Sequence, residues 1–537
     1  MKKFFFLFLI LTFGLFAQEK STSDEISEIK KRLDQVEKKS ILDKLNFEGE
    51  YRFEANSIQG DISSYIDGLK LQNMVVSTIF YYASTGMLPS SWDDVSGYIA
   101  THYGDWLYFA SNLTFDQLKS YMSMFPPEMQ QALFSMYIPL AYRDGYSYEN
   151  EIFYTNLLKL SFKSNVAPNI SFAGRLSMYK AWGDSTGVQV FNGQSNSISL
   201  DGTTTRVPNS DILRVERAYF KWDKFLSNKT YLSIGRRPST EGPPLELKEG
   251  TLRGGTPLGL LVDYQYDGVT FGWDISEHST FRLCYGVGFE SGFGQAQELK
   301  NPADRLKDVH MGGINWDIYK DDHWFVLTTV MRAFDVTDGF NGLAVMNFNP
   351  VTGETYNAPV VMRYSPSANL GDLDLAGLLV QRKDGPFDYF LSYGYLKSHP
   401  NKTTTPFGGL FSDPFEEPKE RSGYAIYGGL RYSLKEDKTM VGLEYNRGSK
   451  YWFNFALGAD DVVAPKLSAR GDVFEFYLLH KFYKNVLLKL DWMRYDYKYS
   501  GSGWHIGAPK QLDETPILPF PTYDKFDIIS LSLVTKF

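Results

Sequence analysis

The sequence predicts an all-β fold, a transmembrane antiparallel β-barrel of about sixteen strands. An α-helical insertion fills its first extracellular loop, and a short periplasmic helix precedes the barrel. Three observations carry this reading. The chain opens MKKFFFLFLILTFGLFA, which is two lysines, an apolar run and then small Ala17, the layout of a secretory signal peptide. Aromatic residues make up 16% of the chain, and Cys284 is its lone cysteine, so an exported protein of this length has no internal disulfide to build on. From Leu45 onward apolar and polar residues alternate at period two, and the connections between these stretches alternate short and long.

Residues 1–17 are expected to be a cleaved signal peptide. Their apolar run, Phe4 to Phe13, is shorter than the roughly 20 residues a spanning helix needs. Residues 18–45 form the periplasmic helical segment. DEISEIKKRLDQVEKK carries Ile26, Ile29, Leu33 and Val36 at 3-4-3 spacing, an a/d seam of barely two heptads. Two readings stay open: an amphipathic helix on the periplasmic rim, or a coiled-coil helix that associates subunits.

Residues 46–537 are the barrel. NFEGEYRFEA sends Phe47, Tyr51 and Phe53 to one face and Glu48, Glu50, Arg52 and Glu54 to the other. The alternation returns in sixteen stretches: 46–56, 150–163, 169–182, 211–223, 229–237, 266–275, 280–290, 308–319, 323–335, 371–382, 386–397, 422–434, 438–450, 472–482, 485–498 and 525–537. Even-to-odd connections such as SNVAP, KDD, DGP and KED are short. Odd-to-even connections are long and polar or Pro/Gly-rich. A transmembrane barrel is built this way, with short turns periplasmic and long loops extracellular. The last strand, FDIISLSLVTKF, must pair with the first, because lipid satisfies no open edge. Its Ile529, Leu531, Leu533 and Phe537 face lipid. Terminal Phe537 resembles the signal read by the barrel assembly machinery, an expected partner alongside outer-membrane lipid.

The helical insertion, 57–149, lacks strand alternation. LTFDQLKSYMSMF opens with a capping box, Thr114 with Gln117, and Pro127 suits the start of a second helix. The insertion either caps the outer mouth or plugs the lumen.

Catalysis finds no support. The seven histidines are scattered, and no HExxH, GxSxG or phosphate-binding loop appears, so an enzyme, a cofactor and a metal site are not expected. A net charge of −8 without a dominant basic patch argues against nucleic acid. Asp460 and Asp461 read as solvated acids, and Arg470-Gly471-Asp472 as a chance match to an adhesion tripeptide.

The inward faces carry the chemistry. Alternation sends Lys159, Arg175, Arg237, Arg282, Arg332, Arg431 and Glu475 to the lumen, with acids and bases intermixed, which predicts a wet interior. The densest stretch is DILRVERAYFKW followed by YLSIGRRPSTEGPPLELKEGTLRGG. Arg214, Arg217 and Arg237 lie on the fourth and fifth strands, and the next loop brings Glu241, Glu246 and Glu249. Basic wall facing acidic loop would set a transverse field across a constriction. An inward Arg217 next to an inward Glu216 requires a bulge in the fourth strand.

RVERAYFKW, SIGRRPSTEGPP, GGTPLGLLVDYQYDG and the insertion before YTNLLKLSFKSNVAPNISFAGRLSMYKAWGD together resemble domain-of-unknown-function family 3373, porin-like bacterial outer-membrane barrel proteins. The resemblance covers most of the chain after Leu45 and implies a barrel in a Gram-negative outer membrane. The expected function is a porin or channel for passive diffusion of small hydrophilic solutes or ions, as a monomer or a homo-oligomer. The alternatives are a transporter of apolar molecules and a structural or adhesive surface barrel with a blocked lumen.

Overall fold

The computed structural model describes residues 26–33, 45–113, 115–184, 208, 211–292, 299, 301, 303, 305–339, 342–348, 355–364, 366–405, 408–414, 416–434, 438–456, 460–513 and 521–537. The signal peptide, Thr114 and the KED turn fall outside them. So does most of segment 18–45, of which residues 26–33 are helical.

Sixteen long strands form the wall: β1 (Leu45–Ile62), β2 (Phe153–Ala167), β3 (Ile170–Ala181), β4 (Arg214–Asp223), β5 (Thr230–Arg236), β6 (Asp267–Ser276), β7 (Ser279–Phe289) and β8 (Val309–Lys320). The second half is β9 (Trp324–Thr337), β10 (Asn369–Asp384), β11 (Phe387–Pro400), β12 (Ser422–Leu434), β13 (Thr439–Gly448), β14 (Gly471–Tyr483), β15 (Val486–Tyr497) and β16 (Tyr523–Lys536). Each pairs antiparallel with its chain neighbours, and β16 pairs with β1 from Glu50↔Lys536 to Ile62↔Tyr523, so the sheet closes on itself. The turns β2–β3, β6–β7, β8–β9, β10–β11 and β14–β15 are tight, and the long connections lie at the opposite end.

Phe537 continues the closure. Its backbone exchanges hydrogen bonds with Gly49 in both directions, at 2.7 and 2.9 Å. Its ring covers Gly49, where an added Cβ would meet ring carbon at 2.3 Å. Only glycine admits this cross-strand cover, which shields a stretch of backbone that no side chain protects.

The outer surface is the one a bilayer requires. Leu283, Leu443, Ile529 and Leu531 stand exposed in a band. Trp222, Trp273, Trp324 and Phe387 border it at the short-turn end. Outward ion pairs border it at the other end: Arg494–Asp527 at 3.2 Å, Arg236–Asp267 at 3.1 Å and Arg332–Asp374 at 2.9 Å. The last of these corrects the reading of Arg332. Leu327, Thr329 and Ala333 occupy the inner phase of β9, so Arg332 lies on the outer face. FVLTTVMRAF is apolar in both phases, and alternation alone does not say which phase points inward. Partners on β10 at the rim spare Arg332 the roughly 2–4 kcal/mol that a bare mid-membrane arginine costs.

The predicted irregularity in β4 is present. Arg175 opposes Arg217 and Leu176 opposes Val215, leaving Glu216 as an extra residue. Both Glu216 and Arg217 are buried inside.

Among the described residues the first long connection holds five helices: α1 (Gly68–Thr85), α2 (Trp92–Thr101), α3 (Tyr103–Asn112), α4 (Phe115–Met124) and α5 (Pro127–Ala141). Asp67 caps α1 by accepting from the Lys70 N–H, Ser91 and Asp94 form a capping box on α2, and Pro127 starts α5. The insertion packs around its own core of Ile66, Met74, Leu133 and Tyr137. It stands on the upper end of β1, which Tyr146–Glu149 extends as a paired strand. The connection between β9 and β10 contains a hairpin, Gly342–Phe348 with Thr355–Tyr364, that alternation did not single out.

Candidate functional site: a loop folded into the lumen

Residues 237–266, between β5 and β6, run into the barrel and are fastened to the wall on several sides. The chain there is PSTEGPPLELKEGTLRGGTPLGLL, too rich in proline and glycine for a strand or a long helix. It makes only a 3-10 turn, Leu245–Leu247. Its anchors are therefore side chains.

The first anchor is Glu241. Its carboxylate accepts from Lys159 on β2 at 2.5 Å, Arg175 on β3 at 2.6 Å and Arg217 on β4 at 3.3 Å. Lys159 also reaches Asp460 at 2.8 Å, and Glu216 accepts from Arg175 at 3.3 Å and from Thr240 Oγ1 at 2.7 Å. Burial pushes the Glu241 carboxyl up, but Lys159, Arg175 and Arg217 outweigh it and hold the group well below the usual carboxylate range. Glu241 has φ +58°, a left-handed conformation that a non-glycine residue adopts at a cost, and its contacts hold it there. The bulge in β4 is what brings Glu216 and Arg217 together into this cluster.

The second anchor is Lys248. It pairs with Glu475 on β14 and, at 2.6 Å, with Asp491 on β15. Lys466 joins from another loop, 2.5 Å from Glu475. Glu249 lies 3.5 Å from Lys536 on β16. Burial, reinforced by Lys489 and Lys466, outweighs the carboxylates and lowers Lys248 to about 8.

The third anchor is Arg253, which grips Asp317 on β8 with contacts of 3.0 and 2.9 Å. Arg282 on β7 shares that carboxylate at 2.8 Å. On β12, Arg431 pairs with Asp388 and donates to the Leu247 carbonyl at 2.6 Å.

The remaining fastening is apolar. Leu258, Leu260 and Leu261 are buried against the inner faces of β10 and β11. A Cβ at Gly377 would meet Leu258 at 2.5 Å, and one at Gly394 would meet Trp452 at 2.6 Å, so these glycines make the room. Leu373, Leu379, Phe390, Leu396 and Phe455 belong to the same cluster. Loop and apolar side chains thus fill part of the interior that the alternation predicted to be wet. One side of the lumen is an apolar core, and on the other the charges are largely buried in pairs. A charge removed from water is tolerated where a partner and hydrogen bonds compensate it.

The loop and wall residues singled out in the sequence divide accordingly. Lys159, Arg175, Arg217 and Glu241 meet in one cluster, and Glu249 and Glu475 flank another. Arg431 touches the loop directly at the Leu247 carbonyl, and Arg282 reaches it only through Asp317, which it shares with Arg253. Arg237 does not face the loop carboxylates as expected: it donates to Ser233 Oγ and lies 5.4 Å from the Tyr219 ring. Glu246 makes no ion pair among the described residues, and burial raises its carboxyl. Arg214 is half-buried at the outer end of β4. Lys248, Arg253, Asp460 and Lys466 were missed, because a charged loop residue reads in sequence as a solvated one. Arg470 is 1% exposed, so Arg470-Gly471-Asp472 offers no surface tripeptide.

Asp263 closes the loop, accepting from the Glu241 N–H at 3.0 Å. Burial lifts its carboxyl to about 7, against that hydrogen bond and with help from Glu241 and Asp460. A carboxyl whose folded value is raised binds its proton more tightly folded than unfolded. Its contribution is therefore fully present below about pH 4 and is lost as pH rises to about 7. Thermal midpoints in detergent are expected to fall between pH 5 and 7.5, and Asp263→Asn to flatten that slope. An equal slope in the variant would assign it to another group.

No curated protein matches the chain. Among solved structures it is similar to outer-membrane expressed OmpT of Vibrio cholerae, with 11% identity and a TM-score of 0.37, covering 92% of this chain and 97% of that one. It is also similar to OprB of Pseudomonas putida, with 9% identity, a TM-score of 0.39 and 93% and 96% covered. The outer membrane channel DcaP of Acinetobacter baumannii gives 12% identity, a TM-score of 0.38 and 92% and 97% covered. The family profile described as "Protein of unknown function (DUF3373)" matches residues 147–537. That segment takes in β2 to β16 and every anchor of the lumen loop named above; the chain belongs to this family.

Proposed function

We propose that the protein is an outer-membrane channel for small hydrophilic solutes or ions, in which loop 237–266 forms the constriction. The observation that supports this is the Glu241 cluster, where three cations from adjacent wall strands meet a loop carboxylate inside the barrel. Such a constriction orients polar solutes and sorts ions by sign. On this reading solutes pass along the charged side of the lumen, which β14–β16 and β1–β4 form. Reversal potentials in planar bilayers under a salt gradient test it. Replacing Glu241, Glu246 and Glu249 together should shift selectivity toward anions, and the shift should shrink at 1 M salt, where the Debye length is about 3 Å. Absent conductance in every variant would sink the channel reading.

The apolar core around Leu258, Leu260 and Leu261 favours a second reading, a surface barrel whose lumen stays blocked. Conductance of the wild type separates the two. The insertion, with a core of its own, is read as a cap on the outer mouth.

Export by the signal peptide, assembly read from Phe537 and oligomer formation belong to the same proposal. Phe537→Ala is expected to lower the amount of heat-modifiable barrel in the outer membrane while export continues. Gel densitometry checks this, and wild-type yield would count against it.

A further inference from the structure

A cavity of about 100 Å³ lies between the lumen loop and the inner faces of β6–β9. Gly268, Gly286 and Gly313 are among the wall residues that line it. Arg237 lines it, 9% exposed. No carboxylate contacts this guanidinium among the described residues: it donates to Ser233 Oγ, faces Tyr219, and its Nε has no partner. The neighbouring charges do not compensate it either. Arg253 and Arg282 already share Asp317. A buried cation without a counter-charge is costly, and a bound anion removes the cost. The rest of the lining is short polar groups, Thr270, Cys284 and Asn315, beside apolar Pro257, Val262 and Met311.

We infer that this cavity binds a small organic monoanion, a short-chain carboxylate, with its carboxylate on Arg237 and its tail against Pro257, Val262 and Met311. Arginine presents two parallel N–H groups that match a carboxylate, and the apolar lining selects a tail over a bare inorganic ion. This inference names a ligand class for the proposed channel and rests on that reading only for its biological use.

Equilibrium dialysis of radiolabelled butanoate against the detergent-folded full-length barrel tests it. Saturable binding is expected, weakened by about tenfold or more in Arg237→Gln, where the charge-assisted pair is lost. Thr270→Leu keeps the guanidinium, fills the cavity and should weaken binding too. Arg237→Lys should retain part of it, and Arg494→Gln on the outer face should leave it unchanged. Heat-modifiability shows that each variant is folded. Equal affinity in Arg237→Gln and wild type, no saturable binding, or displacement by chloride as effective as by unlabelled butanoate would overturn the assignment. Binding is read without conductance, so a barrel that conducts without binding sinks this inference alone. A barrel that binds without conducting sinks the channel reading alone.

Discussion

Glu241→Gln is expected to loosen the constriction and raise single-channel conductance several-fold. Lys159, Arg175 and Arg217 would then share only Glu216 and Asp460, leaving one positive charge in excess. Breaking one side of a buried ion pair costs about 3–5 kcal/mol. The Glu241 side chain is 37% exposed, so solvent screens part of this, and a loss of about 2 kcal/mol is expected. The loop would also lose its tie to β2, β3 and β4 at the point where the chain leaves β5, while Lys248 and Arg253 still hold its far side. Reversal potential should move toward anions, since a carboxylate has been removed from among three cations. Planar-bilayer recordings and urea midpoints check the two effects. Unchanged conductance together with an unchanged midpoint would show that the cluster does not hold the loop.

Arg470→Met is expected to release the outer loops. Arg470 donates through Nε to the Trp452 carbonyl and through Nη1 to the Ser500 carbonyl, each at 2.9 Å, and through Nη2 to the Trp504 carbonyl. It also lies over the Phe411 ring at 5.7 Å. One side chain thus ties together three of the long connections. Methionine keeps the apolar stem and leaves three buried carbonyls without a donor. At about 1–3 kcal/mol for each unsatisfied group, partly relieved by relaxation, a loss of about 3–5 kcal/mol follows. Trypsin should then cut at Lys450 and Lys510 faster than in wild type, while the wall remains heat-modifiable. Wild-type cleavage rates would mean that Arg470 does not hold the loops together.

The wall was legible before any coordinates. A strand with lipid on one face and the lumen on the other must alternate, and only closure removes its edges. Period two, loop parity and the phase of Ile529, Leu531 and Leu533 therefore locate sixteen strands. The β4 bulge was legible for the same reason. Arg217 next to Glu216 leaves either a charge in lipid or an extra residue, and the second costs less. Arg332 was misread where that logic weakens, on a strand apolar in both phases and near enough to the rim to find partners outside.

By itself the sequence determined the barrel, its strand count and which loops are long. These follow from local periodicity and from what lipid forbids. The strand ends moved: β1 runs on to Ile62, six residues into the segment read as insertion, because β16 is there to pair with it. Only the tertiary structure decided what fills the lumen. Loop 237–266 carries no periodicity, and Lys248, Arg253 and Asp460 look like any solvated loop charges. Their partners, Asp491, Asp317 and Lys159, lie up to hundreds of residues away on other parts of the wall. Which charge meets which is set by the curvature that brings those strands around one loop. The same curvature leaves Arg237 over a cavity and away from the carboxylates that are near it in sequence.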